Sequence, residues 1–166
     1  MSTNPVWLTQ EQFNIAVAHL PLVSIDLCMV HEKRILLGKR NNRPAKNWWF
    51  TPGGRIKKNE SVSSAIIRIF VEECNYQYVQ KNSLTLMGAW DHFYSDSAFD
   101  ENLATHYINL PHYFSISQQT KDSLNLPVGF EEQHSDWTWM PLNEAVNHPK
   151  VHQYVRQYAS WLLNNL

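Results

Sequence analysis

A chain of 166 residues is long enough for one domain with a substantial core, and a hydrophobic content of 43% is ordinary for a globular protein. With 14 basic and 15 acidic residues the net charge is −1, so no general electrostatic pull toward nucleic acid or anionic membrane is expected. No apolar run approaches the length that spans a bilayer, and the start MSTNPVWLTQEQ lacks the basic and apolar stretches of a signal peptide. Cys28 and Cys74 sit in apolar surroundings without a CxxC partner, which predicts two buried free thiols in a reducing cytoplasm.

Thr9-Gln10-Glu11-Gln12 has the form of a capping box and predicts a helix to about His19, stopped by Pro21. Residues 22–30 predict a mostly buried strand, and residues 34–40 a second after a tight turn. Residues 41–54 are expected to be a loop with a short extended piece, and 61–74 a helix. Strands follow at 84–94 and 105–116. Residues 117–134 are expected to be mostly loop, 136–142 a strand, PLNEAVNHP a short helix and 151–166 a final amphipathic helix. Helices before, between and after strands predict an α/β (α+β) fold, a mixed β-sheet sandwiched between helices, in a single domain over 1–166.

The strongest local signal lies in 53–74. Gly53-Gly54 makes a turn where backbone can approach a ligand closely. Glu60 follows; Arg68 comes eight later, and Glu72 and Glu73 four and five after that. Arg68 and Glu72 are i,i+4 neighbours. Val62, Ala65, Ile66, Ile69 and Phe70 form an apolar stripe that Glu73 continues, so its side chain should point toward the sheet. A carboxylate buried there must be paired or bound to a cation. Carboxylate oxygens with a glycine carbonyl suit Mg²⁺. The alternative is a salt-bridged helix whose Glu73 frays into solvent; the complete spacing after paired glycines argues against it.

This spacing resembles the Nudix box, G-x5-E-x7-R-E-U-x-E-E-x-G-U with U apolar. Two positions depart from it. Ile69 replaces the first Glu of the REUxEE run, and Asn75 replaces the late glycine. Asn can also take the left-handed conformation that ends a helix. The missing acid weakens the case for metal-activated attack at phosphorus. One branch of the superfamily, the GDP-mannose mannosyl hydrolases, lacks that same Glu. The chain resembles it over nearly its whole length, in PLVSIDL, LLGKRNNRPA, WFTPGGR, DHFYSD, THYINL and EEQHSDW.

The resemblance implies a Nudix fold and hydrolysis of GDP-mannose, with GDP-glucose an open alternative, at the sugar C1 with inversion. It implies one Mg²⁺ per subunit, Mn²⁺ suiting the same oxygens, held by the Gly53 carbonyl, Glu73 and Gln133. It assigns His134 as general base, and Asp26 and His92 to the sugar. Arg40 and Arg55 can clamp phosphate oxygens, with Arg40 on the leaving diphosphate and the Tyr107 hydroxyl nearby. A homodimer is implied, with VWLTQEQF a candidate for crossing to the partner. By residue type alone, Gln133 is an ordinary loop amide, His134 an exposed loop histidine, and His92 and His106 hydrogen-bonded core histidines. Arg68 is expected to brace the helix to Glu60. Guanine should stack on an aromatic ring that the sequence does not single out. Two rival functions stay open: a conventional Nudix pyrophosphohydrolase, and a non-catalytic nucleotide-sugar-binding protein.

Overall fold

The structure, a computed structural model, describes residues 7–77, 84–129 and 132–166. The leader 1–6, including Val6 of the proposed crossing segment, and Glu131 of EEQHSDW lie outside them. Trp7 stacks over Lys57 Nζ of its own chain at 3.3 Å and stays 67% exposed.

Helix α1 (Gln10–His19) begins at the predicted box: the Thr9 hydroxyl accepts the Gln12 N–H, and the Gln12 side chain accepts the Thr9 N–H. Strands β1 (Leu22–His31) and β2 (Arg34–Arg40) form an antiparallel hairpin whose turn residues Glu32 and Lys33 both take positive φ. The expected loop 41–54 contains two short strands, β3 (Trp49–Phe50) on β2 and β4 (Gly53–Arg55) on β1. Helix α2 (Val62–Cys74) is capped by the Ser61 hydroxyl at one end and by Asn75 in the left-handed conformation, φ 49°, at the other. Its buried face starts at Ala65 and runs through Ile66, Ile69 and Phe70 to Glu73; Val62, in the first turn, lines a surface groove instead and is 41% exposed.

Both later strand predictions are interrupted. Residues 84–94 form β5 (Thr85–Leu86) and β6 (Trp90–Tyr94), separated around Gly88, whose φ of 127° suits glycine. Residues 105–116 form β7 (Thr105–Asn109) and β8 (His112–Ser115). Pro111 has no N–H to donate and breaks the ladder, and both pieces pair parallel with β1, β7 at Leu22–Ser24 and β8 at Leu27–Val30. The expected loop 117–134 holds a short helix, α3 (Gln118–Ser123), capped by Ser117. Strand β9 (His134–Pro141) begins two residues earlier than expected and pairs with β2. Helices α4 (Leu142–Ala145) and α5 (Gln153–Asn165) follow.

Period-two alternation on β1 sorts the core. Ile25, Leu27 and Met29 pack with Ala65, Ile69 and Phe70 of α2. Cys28 and Val30 pack on the opposite face with Val155, Tyr158 and Leu162 of α5. The result is a mixed sheet covered by helices on both faces. Cys28 and Cys74 are free and buried, one in each core. Asp26, between Ile25 and Leu27, therefore points to the α5 side, into polar company described below.

Candidate active site

Asp26, Arg40, Gly53, Arg55, His92, Tyr107 and Gln133 line one cavity of about 280 Å³. They come from β1, β2, β4, β6, β7 and the approach to β9, so six separate segments converge. Phe13 of α1 and Phe99 meet edge to face at its mouth, with ring centroids 5.3 Å apart. Of the residues expected from sequence, Glu73 and His134 lie behind this wall instead of on it.

Glu73 is 9% exposed, and its Oε2 has no hydrogen-bond partner. Burial pushes its carboxyl up to about 8, against the lowering field of Arg40. His134 is the first residue of β9, next to Arg40 across an irregularity in the β2–β9 ladder. It is 1% exposed, so it is a buried strand residue and not an exposed loop histidine. The strand continues far enough to bury it because its ring lies flat over Gly38. A Cβ at position 38 would come within 2.3 Å of His134 Cδ2. His134 Nδ1 lies 3.5 Å from Glu73 Oε2, and Nε2 has no partner. Burial, then Arg40, pushes the ring down to about 3, so it is neutral at ordinary pH.

An orphaned, desolvated carboxylate oxygen is the kind of group that a cation completes. Among the described residues no three His, Cys, Asp or Glu side chains gather as a metal cluster. A site here would draw one carboxylate from Glu73 and neutral oxygens from Gly53 and Gln133. That all-oxygen set fits a hard divalent ion that keeps part of its shell for phosphate. The other charges of the box hold the frame. Arg68 donates to both oxygens of Glu60 (2.7 and 2.8 Å), to Glu72 (2.8 Å) and to the Arg55 carbonyl (2.9 Å). Glu60 in turn accepts the Lys57 N–H. Ile69, 1% exposed, packs beneath Gly54, so the box's missing acid is a core side chain.

Arg40 donates its Nε to the Pro44 carbonyl at 2.9 Å. Arg55 lies over the Phe13 ring at 4.6 Å, and burial lowers its pKa. Burial raises that of Tyr107. Beside Gly53 the cavity is closed by a polar cluster. The Tyr158 hydroxyl, from α5, lies 2.8 Å from Asp26 Oδ2, 2.9 Å from His92 Nε2 and 3.1 Å from Asn109 Oδ1. Asn109 donates its Nδ2 to Ser24 Oγ at 2.7 Å. Burial pushes Asp26 up to about 6 and His92 down to about 3. Gly53 makes room for Asp26: a Cβ there would sit 2.3 Å from Oδ1.

His106 differs from His92. It is on the outward face of β7, bonded to exposed Asp91 at 3.0 Å and stacked on Phe93, so it is no core histidine. Sequence reasoning missed Tyr158, Asn109 and Gly38. Tyr158 had one available signal, a hydroxyl on the apolar stripe of the last helix. Asn109 and Gly38 became visible only when the strands were paired.

The Nudix domain model matches residues 20–162, and the chain belongs to the Nudix domain family. Nudix hydrolases act on nucleotide-derived substrates and generally use divalent ions such as Mg²⁺ or Mn²⁺. The low-salt glycan biosynthesis protein Agl8 of Haloferax volcanii is 34% identical over 149 residues, covering 89% of this chain and 88% of its own. Among solved structures, the MutT protein of Methanosarcina mazei Go1 superposes with a TM-score of 0.67 at 18% identity, over 87% of this chain and 96% of the other. A bifunctional NMN adenylyltransferase/ADP ribose pyrophosphatase of Francisella tularensis, solved with AMP and a manganese ion, gives 0.62 at 21% identity, over 87% of this chain and 42% of that one. At these identities the two structures share the fold.

Proposed function

We propose that this Nudix hydrolase releases GDP and free sugar from GDP-mannose, or from its glucose epimer, by water attack at C1 with inversion. One observation carries the reading: Ile69, where the box has an acid, is a core residue under Gly54, and Glu73 is the lone orphaned carboxylate on that helix face. The Haloferax volcanii relative, a glycan biosynthesis protein by name, points toward sugar chemistry as well.

Glu73, the Gly53 carbonyl and Gln133 would hold Mg²⁺ or Mn²⁺. Once bound, the ion supplies positive charge to the departing diphosphate. Arg40 and Arg55 bind the diphosphate oxygens, Arg40 at the leaving oxygen, and Tyr107 donates its hydroxyl beside it. GDP then leaves without a protein acid. His134 is neutral and has an unpartnered Nε2, so it can accept a proton from water; ionised Glu73 at 3.5 Å strengthens it as a base. Asp26 and His92 bind sugar hydroxyls. One base acting from the face opposite GDP yields β-mannose from the α-linked donor. We take residues 1–166 as one such domain, working as a homodimer in the cytoplasm.

Incubation with GDP-mannose and Mg²⁺, followed by proton NMR of the anomeric signals within the first minutes, tests the reading. It predicts β-mannose and GDP. GMP with mannose 1-phosphate would instead identify a pyrophosphohydrolase, and tight binding without product a sensor.

A further inference from the structure

The Tyr158 hydroxyl has one proton and three polar neighbours. Asp26 Oδ2 at 2.8 Å and Asn109 Oδ1 at 3.1 Å are oxygens that want a proton, while His92 Nε2 at 2.9 Å can take either role. Were Tyr158 to donate to His92, its oxygen lone pairs would face two buried acceptors, one of them a carboxylate. Leaving a buried acceptor unsatisfied is costly, and more so when it is charged. Donation to the carboxylate satisfies the charged acceptor and leaves only the more distant Asn109 Oδ1 facing a lone pair, and it requires His92 to carry its proton on Nε2 and donate to Tyr158. A neutral imidazole has only one N–H, so Nδ1 is left as an acceptor.

The ring cannot easily turn away from this arrangement. His92 is stacked on Tyr154 with centroids 3.7 Å apart and planes 5° from parallel. Tyr154 is fixed in turn, accepting the Phe93 N–H at 2.6 Å and donating to the Phe93 carbonyl at 3.0 Å. His92 Nδ1 has no hydrogen-bond partner among the described residues, and the residue lines the cavity.

We propose that Tyr158 is a positioning residue that fixes the hydrogen-bond polarity of this cluster, leaving His92 Nδ1 as an acceptor in a cavity that Asp26 also lines. Acceptors from two residues on the wall of one cavity favour a ligand that brings hydroxyl donors, such as a sugar diol. They disfavour a phosphate, a carboxylate or a deoxy sugar at the same place. The inference rests on the proposed sugar site for its substrate and on the hydrogen-bond geometry for its polarity.

Two measurements separate these supports. The imidazole ¹⁵N shifts of His92 in the wild-type protein should show Nε2 protonated and Nδ1 bare; a protonated Nδ1 would overturn the proposal even if the enzyme cleaves GDP-mannose. Tyr158→Phe should weaken binding of GDP-mannose about tenfold, the worth of one good hydrogen bond, while leaving GDP affinity within about twofold. An equal loss for both ligands would make Tyr158 merely structural and overturn the proposal. If wild type binds GDP-mannose no more tightly than GDP, the sugar-site reading fails, and the ¹⁵N shifts alone decide the tautomer.

Discussion

Behind the cavity wall Glu73 Oε2 and His134 Nε2 are buried without a partner; on the wall itself Asp26, His92 and Asn109 all meet one tyrosine hydroxyl. Both ends are polar and deep, so burial alone does not distinguish them. In the proposed reaction the first end would be completed from outside, by a cation and by water. The second is tied together by its own hydrogen bonds, with His92 Nδ1 left over as an acceptor. The proposed function assigns ionic chemistry to the first and recognition to the second, with Arg40 and Arg55 lining the same cavity.

The comparison breaks most severely at the unsatisfied end. His134→Ala should lower kcat about 10²- to 10⁴-fold with Mg²⁺ saturating, the usual worth of a general base. Gly38→Ala should fall between that variant and wild type, because its Cβ forces the His134 ring to move without touching substrate. Steady-state kinetics on both variants check this pair. Arg40→Gln should cost about 10²- to 10³-fold in kcat, and a substrate with a better leaving group should narrow the gap.

The metal-free protein offers a test of Glu73 without turnover. Its carboxyl keeps a proton to about pH 8, whereas an unfolded glutamate loses it near 4.5. The stability tied to that proton is fully present below 4.5 and is lost as pH rises toward 8. Asp26 has the same sign but finishes near 6, and His92, His134 and His152 are lowered below 6.5, so of these groups Glu73 alone spans pH 6.5 to 8. Urea unfolding in EDTA should lose on the order of 1–2 kcal/mol across that window. Glu73→Gln should flatten the slope, and Mg²⁺ should reduce it in wild type.

The smallest effect is expected at the mouth. Arg43 bonds Glu101 at 2.7 Å and lies 3.6 Å from Asp96, joining two loops that border the cavity. Its side chain is 42% exposed, so Arg43→Ala should raise KM by less than about fivefold and leave kcat unchanged.

Much of the frame was legible because it follows from local pattern. The α1 capping box, the β1–β2 hairpin and the α2 stripe ending in a buried Glu73 are each encoded within a few residues. The breaks at Gly88 and Pro111 were legible in principle, since both residues announce their backbone needs, but long apolar runs masked them. The satisfied end was hardly legible. Asp26 stood out as a charge among apolar neighbours, yet its partners Tyr158 and Asn109 lie 132 and 83 positions away and meet it only through β7 and α5. His134 was found by motif, but its burial depends on Gly38, a contact made by strand pairing.

Hydrolysis of GDP-mannose in ¹⁸O-enriched water, with both products weighed by mass spectrometry, tests the central claim most directly. Attack at the sugar carbon puts the heavy oxygen in mannose and leaves GDP unlabelled. Heavy oxygen in GDP, GMP or a sugar phosphate would mean that water attacks phosphorus, and the account given for Ile69 and His134 would be wrong.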